Sequence, residues 1–204
     1  MEVFVKFMIL LQSILVLFAI VNPIGSIPLF LQLTSSMDKT QKDKTFKTAI
    51  FTSAAILFIF AVLGQEILTR IFQVSVADLS AAGGLLLMLI AADHLVFGQM
   101  VRSVLKIEGQ DAPHIGAVPM ACPILAGPGA MMTVLIIDAG CGFLIAALSI
   151  IIVLGGTWLI FRFMDRIYSF IGKAACLVLS KILSLFLAAI GFHMLMMGIV
   201  EYYK

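Results

Sequence analysis

Two short stretches carry the residue types that could hold a small solute inside a membrane. One is Asn22-Pro23-Ile24-Gly25-Ser26-Ile27-Pro28 and the other is Ala126-Gly127-Pro128-Gly129-Ala130. Proline removes a backbone donor and clashes with the preceding turn, and glycine favours unwinding, so neither stretch belongs in mid-helix. Both lie in long apolar runs. A freed backbone group in hydrocarbon costs several kcal/mol, so such a break survives only where protein or a wet cavity covers it. Paired interrupted spans, one in each half of a chain, point to a transporter substrate site.

The chemistry follows from the caps. Asn22 suits an N-cap and Pro23 the first helical position, with a half-helix restarting through Ser26, Phe30 and Leu33. Gly127 takes the equivalent cap, Pro128 the first turn, and the helix restarts through Thr133 toward Asp138. Each restart offers backbone N–H groups and the positive end of a helix dipole to an anionic group such as a carboxylate. Unwound carbonyls before each break suit a cation or an ammonium. The expected substrate-binding set is Asn22, Pro23, Gly25, Ser26, Gly127, Pro128, Gly129 and Thr133. A site built from backbone and small neutral side chains fits a small zwitterion better than a bulky drug.

Three ionisable residues in apolar segments, Asp93, His94 and His193, are candidates for proton coupling. Asp93 projects nearly opposite the small residues of its own segment, and His193 repeats that placement. No catalytic group is expected: there is no G-x-S-x-G, and Cys122 has no histidine near it in sequence. No metal site is expected either. Glu108, Asp111 and His114 lie in a polar stretch and read as solvated, and Cys122, Cys141 and Cys176 show no C-x-x-C spacing. No cofactor is implied, and the coupling ion, H+ or Na+, is left open. The chain lacks the G-x-x-x-x-G-K-[ST] loop of a nucleotide-driven pump.

The elements that must position these residues are membrane spans. Of the 204 residues 62% are hydrophobic and 12% charged, and the mean hydropathy is +1.18. Soluble domains carry about 25% charged residues. The net charge of +2 is too small to imply a nucleic-acid partner. Against the ~20 residues a helix needs to cross, six segments qualify: Met8–Leu33, Thr48–Ile67, Leu79–Gly98, Ala117–Ile137, Phe143–Phe161 and Ile182–Val200. The expected fold is all-α, a polytopic membrane protein of about six transmembrane helices with helices one and four broken. The N-terminal apolar run has no small-x-small cleavage pattern and reads as a retained span.

Basic residues cluster in three connections: Lys39, Lys42, Lys44 and Lys47; Arg102 and Lys106; Arg162, Arg166, Lys173 and Lys181. The other side holds Lys6, Arg70 and Lys204. By the positive-inside rule the three connections are cytoplasmic and both termini face outside. Residues 164–180 have near-helical apolar spacing and lie along the inner surface or extend a neighbouring span. Glu66 and Arg70, four apart, read as a surface pair.

A weak internal repeat is present. Shifting by 105 lays Asn22-Pro23 over Gly127-Pro128. Shifting by 100 lays Leu85, Leu87, Ile90, Leu95 and Gly98 over Leu185, Leu187, Ile190, Leu195 and Gly198. Three spans per half make the halves inverted: 1–98 is the first repeat, 99–116 a cytoplasmic loop and 117–204 the second repeat, all in one transmembrane domain. Small residues form one face of segment three (Ala81, Gly84, Ala91, with Met88) and of segment six (Ser184, Ala188, Gly191). Such faces let helices approach closely in lipid.

The motifs also resemble a known family. Asn22 to Thr34 is similar to the N-P-x-G-x-x-P-x-F-x-x-L-T signature of the MarC family. Pro119 to Gly129 resembles its P-x-A-x-P-x-x-A-G-P-G block, and Ala82-Gly83-Gly84-Leu85-Leu86 its A-G-G-L-L block. The likeness covers nearly the whole chain. It implies a cytoplasmic (inner) membrane location in a bacterium or archaeon and, from some members, transport of small neutral amino acids such as glycine and alanine. Ser80 stands where members often carry an arginine, which removes one carboxylate partner. Ser184 and His193 replace a frequent glycine and glutamine.

The function expected is therefore secondary transport of small neutral amino acids by alternating access. The partners expected are the lipid bilayer, a small solute and a second copy of the chain. An exporter or channel for another small solute, or a non-transporting partner of another membrane complex, are the alternatives. An intramembrane hydrolase lacks a nucleophile beside a base.

Overall fold

The computed structural model describes residues 2–71, 73–97 and 116–202, and these are helical with short connections. The expected loop 99–116, with Glu108, Asp111 and His114, lies outside the described residues apart from Gly116, as does the His94 side chain. Helix α1 covers Glu2–Val21 and a short α2 covers Ile27–Leu33. Helix α3, Lys39–Ile59, continues through π-helical stretches at Phe60–Gly64 and Ile67–Ile71. Helix α4, Val76–Ala92, widens into a π-helical turn at Asp93–Phe97. Then come α5 (Gly116–Leu125), α6 (Pro128–Cys141), α7 (Phe143–Arg162) and α8 (Met164–Tyr202).

Local chemistry sets these boundaries. Capping boxes start α3 (Asp38 with Gln41) and α4 (Ser75 with Asp78), each satisfying two orphan donors reciprocally. In α5, Pro119 and Pro123 supply no backbone donor, and the segment is π-helical, closing with Ala126 N–H on the Ala121 carbonyl five residues back at 2.8 Å. Gly142, at φ 87°, turns α6 directly into α7, and Gly172, at φ 81°, interrupts α8. A side chain at either would be strained. Residues 173–202 are one helix, so much of the 164–180 linker extends the last span.

Among the described residues, four helices are long and apolar enough to cross a membrane: Phe4–Val21, Lys39–Gly64, Phe143–Arg162 and Leu177–Tyr202. Helices α4 and α6 have 17 and 14 residues. At 1.5 Å per residue they are ~26 and ~21 Å long, short of the ~30 Å hydrocarbon core, unless α4 is counted with its π-helical end and α6 with α5. Large apolar side chains such as Phe51, Leu144, Leu185 and Phe170 are exposed, the inside-out pattern of a protein bathed in lipid.

The most extensive contact is between α4 and α8. They run antiparallel, backbone against backbone. A Cβ on Gly84 would lie 2.4 Å from the Gly191 carbonyl oxygen and the Leu195 nitrogen, and one on Gly198 would lie 2.5 Å from Ala77 O and Ala81 N. Ala91 and Ser184, one heptad further along the same two faces, are fully buried. The small-residue faces expected from spacing are thus the seam of the fold. Helix α1 packs on α7, α3 on α5 and α7, α4 on α6, and α2 on α8.

Basic residues of the two described connections meet neighbouring helix ends; Arg102 and Lys106 lie outside the described residues. Lys42 Nζ lies 3.8 Å from the Asp165 carboxylate, and Lys181 Nζ donates to the Leu95 carbonyl at 3.0 Å. Below them Phe30 (α2), Phe46 (α3) and Phe161 (α7) pack as a buried aromatic group, the Phe30 and Phe161 rings edge-on with centroids 4.5 Å apart. The Glu66–Arg70 pair forms on an exposed face, as its spacing suggests.

Candidate functional site

The first break is a self-satisfied corner. Asn22 N–H donates to the Phe18 carbonyl at 2.9 Å and closes α1, with Asn22 in the left-handed region at φ 46°. Asparagine and glycine are the residues that adopt this conformation most readily. Its side-chain Oδ1 accepts from Gly25 N–H at 3.1 Å, and its carbonyl accepts from both Ser26 N–H (3.1 Å) and Ser26 Oγ (3.0 Å). Asn22 therefore ends one helix and caps the next turn, with Pro23 first in that turn; residues 23–26 are a turn and α2 begins only at Ile27, so Pro23 does not take the first helical position expected from its type. The amide lies flat on Gly25, where a Cβ would meet it at 2.5 Å. Asn22 and Pro23 are buried; Gly25 and Ser26 are half-buried.

The second break is open by comparison. Gly127 occupies the N-cap of α6 with extended backbone (φ −73°, ψ 171°) and Pro128 is the first helical residue, as the spacing suggests, but no side chain caps the helix. Gly127 and Gly129 are buried and Pro128 is exposed. A Cβ on Gly129 would fall 2.3 Å from Leu87 Cδ2 on α4 and 3.5 Å from Ile20 Cγ2 in the last turn of α1. The start of α6 thus packs two residues short of Asn22, which brings the two breaks to one region of the bundle.

One turn beyond Gly129, on the same face, is Thr133. Its hydroxyl is buried and has no hydrogen-bond partner. That is unusual in this molecule. The buried hydroxyls of Ser13, Thr34, Ser53, Thr157 and Ser184 each donate to the carbonyl four residues back, and Thr45 donates to Met37 Sδ. Only Thr133 and Ser149 among the described residues are left without a partner. Ser149, on α7, is fully buried. Sequence reading missed it: a lone serine between Leu148 and Ile150 looks like any span-interior serine, and only the hydrogen-bond inventory distinguishes it.

Electrostatically the interior is neutral. The buried polar residues among those described are Asn22 and eight serines and threonines, with no buried charged side chain. His193 is exposed and Asp93 half-buried, each about 200° around its helix from the seam residues Gly191 and Ala91. No group of three metal-ligating side chains occurs among the described residues. A concavity of about 440 Å³ is an open groove along α1 between Phe4 and Val16, lined by apolar side chains and Gln12. It offers a polar solute no converging groups. The uncapped α6 start over an orphan hydroxyl is the better candidate.

The chain is similar to known proteins over nearly its whole length. The model of MarC family integral membrane proteins matches residues 7–203. A UPF0056 membrane protein of Methanocaldococcus jannaschii is 34% identical over 191 residues, covering 90% of this chain and 92% of its own. The UPF0056 membrane protein YhcE of Escherichia coli is 30% identical over 209 residues, covering 97% and 95%, and YvbG of Bacillus subtilis is 30% identical over 191 residues, covering 90% of each. No solved structure matches. With both breaks, the glycine seam and all but the first residues of α1 inside the matched region, the chain belongs to the MarC family of integral membrane proteins.

Proposed function

We propose that the chain is a secondary transporter of small neutral amino acids such as glycine and alanine, working by alternating access across the cytoplasmic membrane. The observation that carries this is the Thr133 hydroxyl, buried without a partner one turn inside an uncapped helix start. A buried polar group without a partner costs about 1–3 kcal/mol. A solute carboxylate at the α6 N-terminus would remove that cost, accepting from backbone N–H groups and Thr133 Oγ1 in a low-dielectric surrounding. The neutral interior suits a solute with no net charge. Leu87, packed on Gly129, must withdraw to admit it.

Six crossings in two inverted halves complete the reading. An antiparallel α4–α8 pair is what a three-span repeat requires of its third members. Exchanging the halves also turns the α1–α7 contact into α5–α3, and α4–α6 into α8–α2, and all four contacts are present. In this reading the basic connections are cytoplasmic and both termini lie outside. Of the candidates for proton coupling, Asp93 and His193 both project away from the seam.

The test is uptake of labelled glycine or alanine into proteoliposomes. The expected result is saturable flux that falls about tenfold in Thr133→Val, the effect of losing about 1.4 kcal/mol of binding. Flux equal to that of protein-free vesicles would remove the proposal.

A further inference from the structure

Ser149 is a polar residue that neither the fold nor the broken spans account for. It is completely buried on α7, and its hydroxyl has no partner. Thr157, two turns later on the same helix and equally buried, donates to the Val153 carbonyl at 2.7 Å. The corresponding bond from Ser149 to Ile145 is absent, although nothing in the helix forbids it. Helical serine and threonine normally take this internal bond when no other partner exists.

Its position is informative. Helices α6 and α7 pack on one another across the Gly142 turn. Thr133 is nine residues before Gly142 and Ser149 seven after it, ~13 and ~10 Å along their axes. The two orphan hydroxyls therefore stand at nearly one depth, well inside the bundle, on neighbouring helices that also both pack on α1. A zwitterion whose carboxylate rests on the α6 start still needs a partner for its ammonium. With no buried carboxylate among the described residues, neutral oxygens must serve.

We propose that Ser149 is a solute-binding residue whose Oγ accepts a hydrogen bond from the ammonium of the bound amino acid, while Thr133 and the α6 N-terminus hold the carboxylate. This rests on the transport reading above.

The experiment uses full-length protein in proteoliposomes with labelled glycine, and thermal unfolding of the same preparations. Ser149→Ala is expected to lower glycine flux about tenfold at subsaturating solute while its unfolding midpoint stays level or rises, because a buried unpaired hydroxyl has been removed. Ser149→Thr keeps the hydroxyl and is expected to keep the flux. Wild-type flux with Ser149→Ala unchanged overturns this inference and leaves the transport reading intact. A lowered midpoint in Ser149→Ala overturns it as well, since the hydroxyl would then hold the fold. Absence of glycine flux in wild type overturns both.

Discussion

The two breaks look alike in sequence and differ in how they treat hydrogen bonds. At Asn22 the corner supplies its own partners: the side chain caps Gly25, the carbonyl takes two bonds from Ser26, and the left-handed backbone closes α1. At Gly127 the helix starts with no side-chain cap, and a buried threonine one turn on has nothing to bond. A corner that satisfies itself is rigid and has little left for a ligand. A corner with an open helix end and an orphan hydroxyl is prepared for one. In the transport reading proposed above, the first break shapes the bundle and the second binds the solute.

Changes at five positions would break or sharpen that contrast. The largest effect is expected at the seam that frames both breaks. Gly84→Ala puts a Cβ 2.4 Å from the α8 backbone, which cannot retreat as a side-chain tip could. It should cost about 1–3 kcal/mol or more, read as loss of thermal stability in detergent. Gly155→Ala, with nothing within 4 Å of the added carbon, should be neutral or slightly stabilising.

Next is Thr133→Val. Its flux should fall about tenfold with no loss of stability, by the binding arithmetic above. The first break should show the opposite signature. Asn22→Ala removes a cap and a residue tolerant of positive φ, and should cost about 1 kcal/mol, whereas Asn22→Gly keeps the backbone conformation and should cost only a few tenths. Equal losses from both variants would show that the left-handed corner is unimportant.

The smallest effect is a control remote from both breaks. Asp43, exposed before the apolar part of α3, accepts from Lys47 Nζ at 2.8 Å. That bond, opposed by desolvation and aided by the Lys47 and Arg162 charges, holds its carboxyl below the usual range. A depressed pKa contributes stability above the ordinary carboxylate pKa and loses it as pH falls through the folded-state value. Asp43→Asn should therefore differ slightly from wild type at neutral pH and match it in acid, in unfolding midpoints measured across pH.

Much of this architecture was legible in the chain. Proline and glycine in apolar runs mark breaks because their backbone limits hold in any context, and Gly127 and Pro128 take the local positions their types dictate, whereas Pro23 opens a turn ahead of α2 instead of its first helical residue. The small faces of α4 and α8 were legible because only glycine, alanine and serine permit backbone contact. The widened π-helical turns after Ile59 and Ala92 were not, since ordinary apolar residues form them. Nor was the double duty of Asn22, which depends on a positive φ that asparagine permits without requiring. Ser149 was invisible for another reason. Most buried serines in these helices bond their own backbone, and an exception shows only once every donor is matched to its acceptor.

The most direct test of the contrast is glycine binding to the purified protein by calorimetry, with Thr133→Val and Asn22→Gly measured beside wild type. The account predicts affinity weakened about tenfold in Thr133→Val and nearly unchanged in Asn22→Gly. Affinity preserved in Thr133→Val and lost in Asn22→Gly would contradict it.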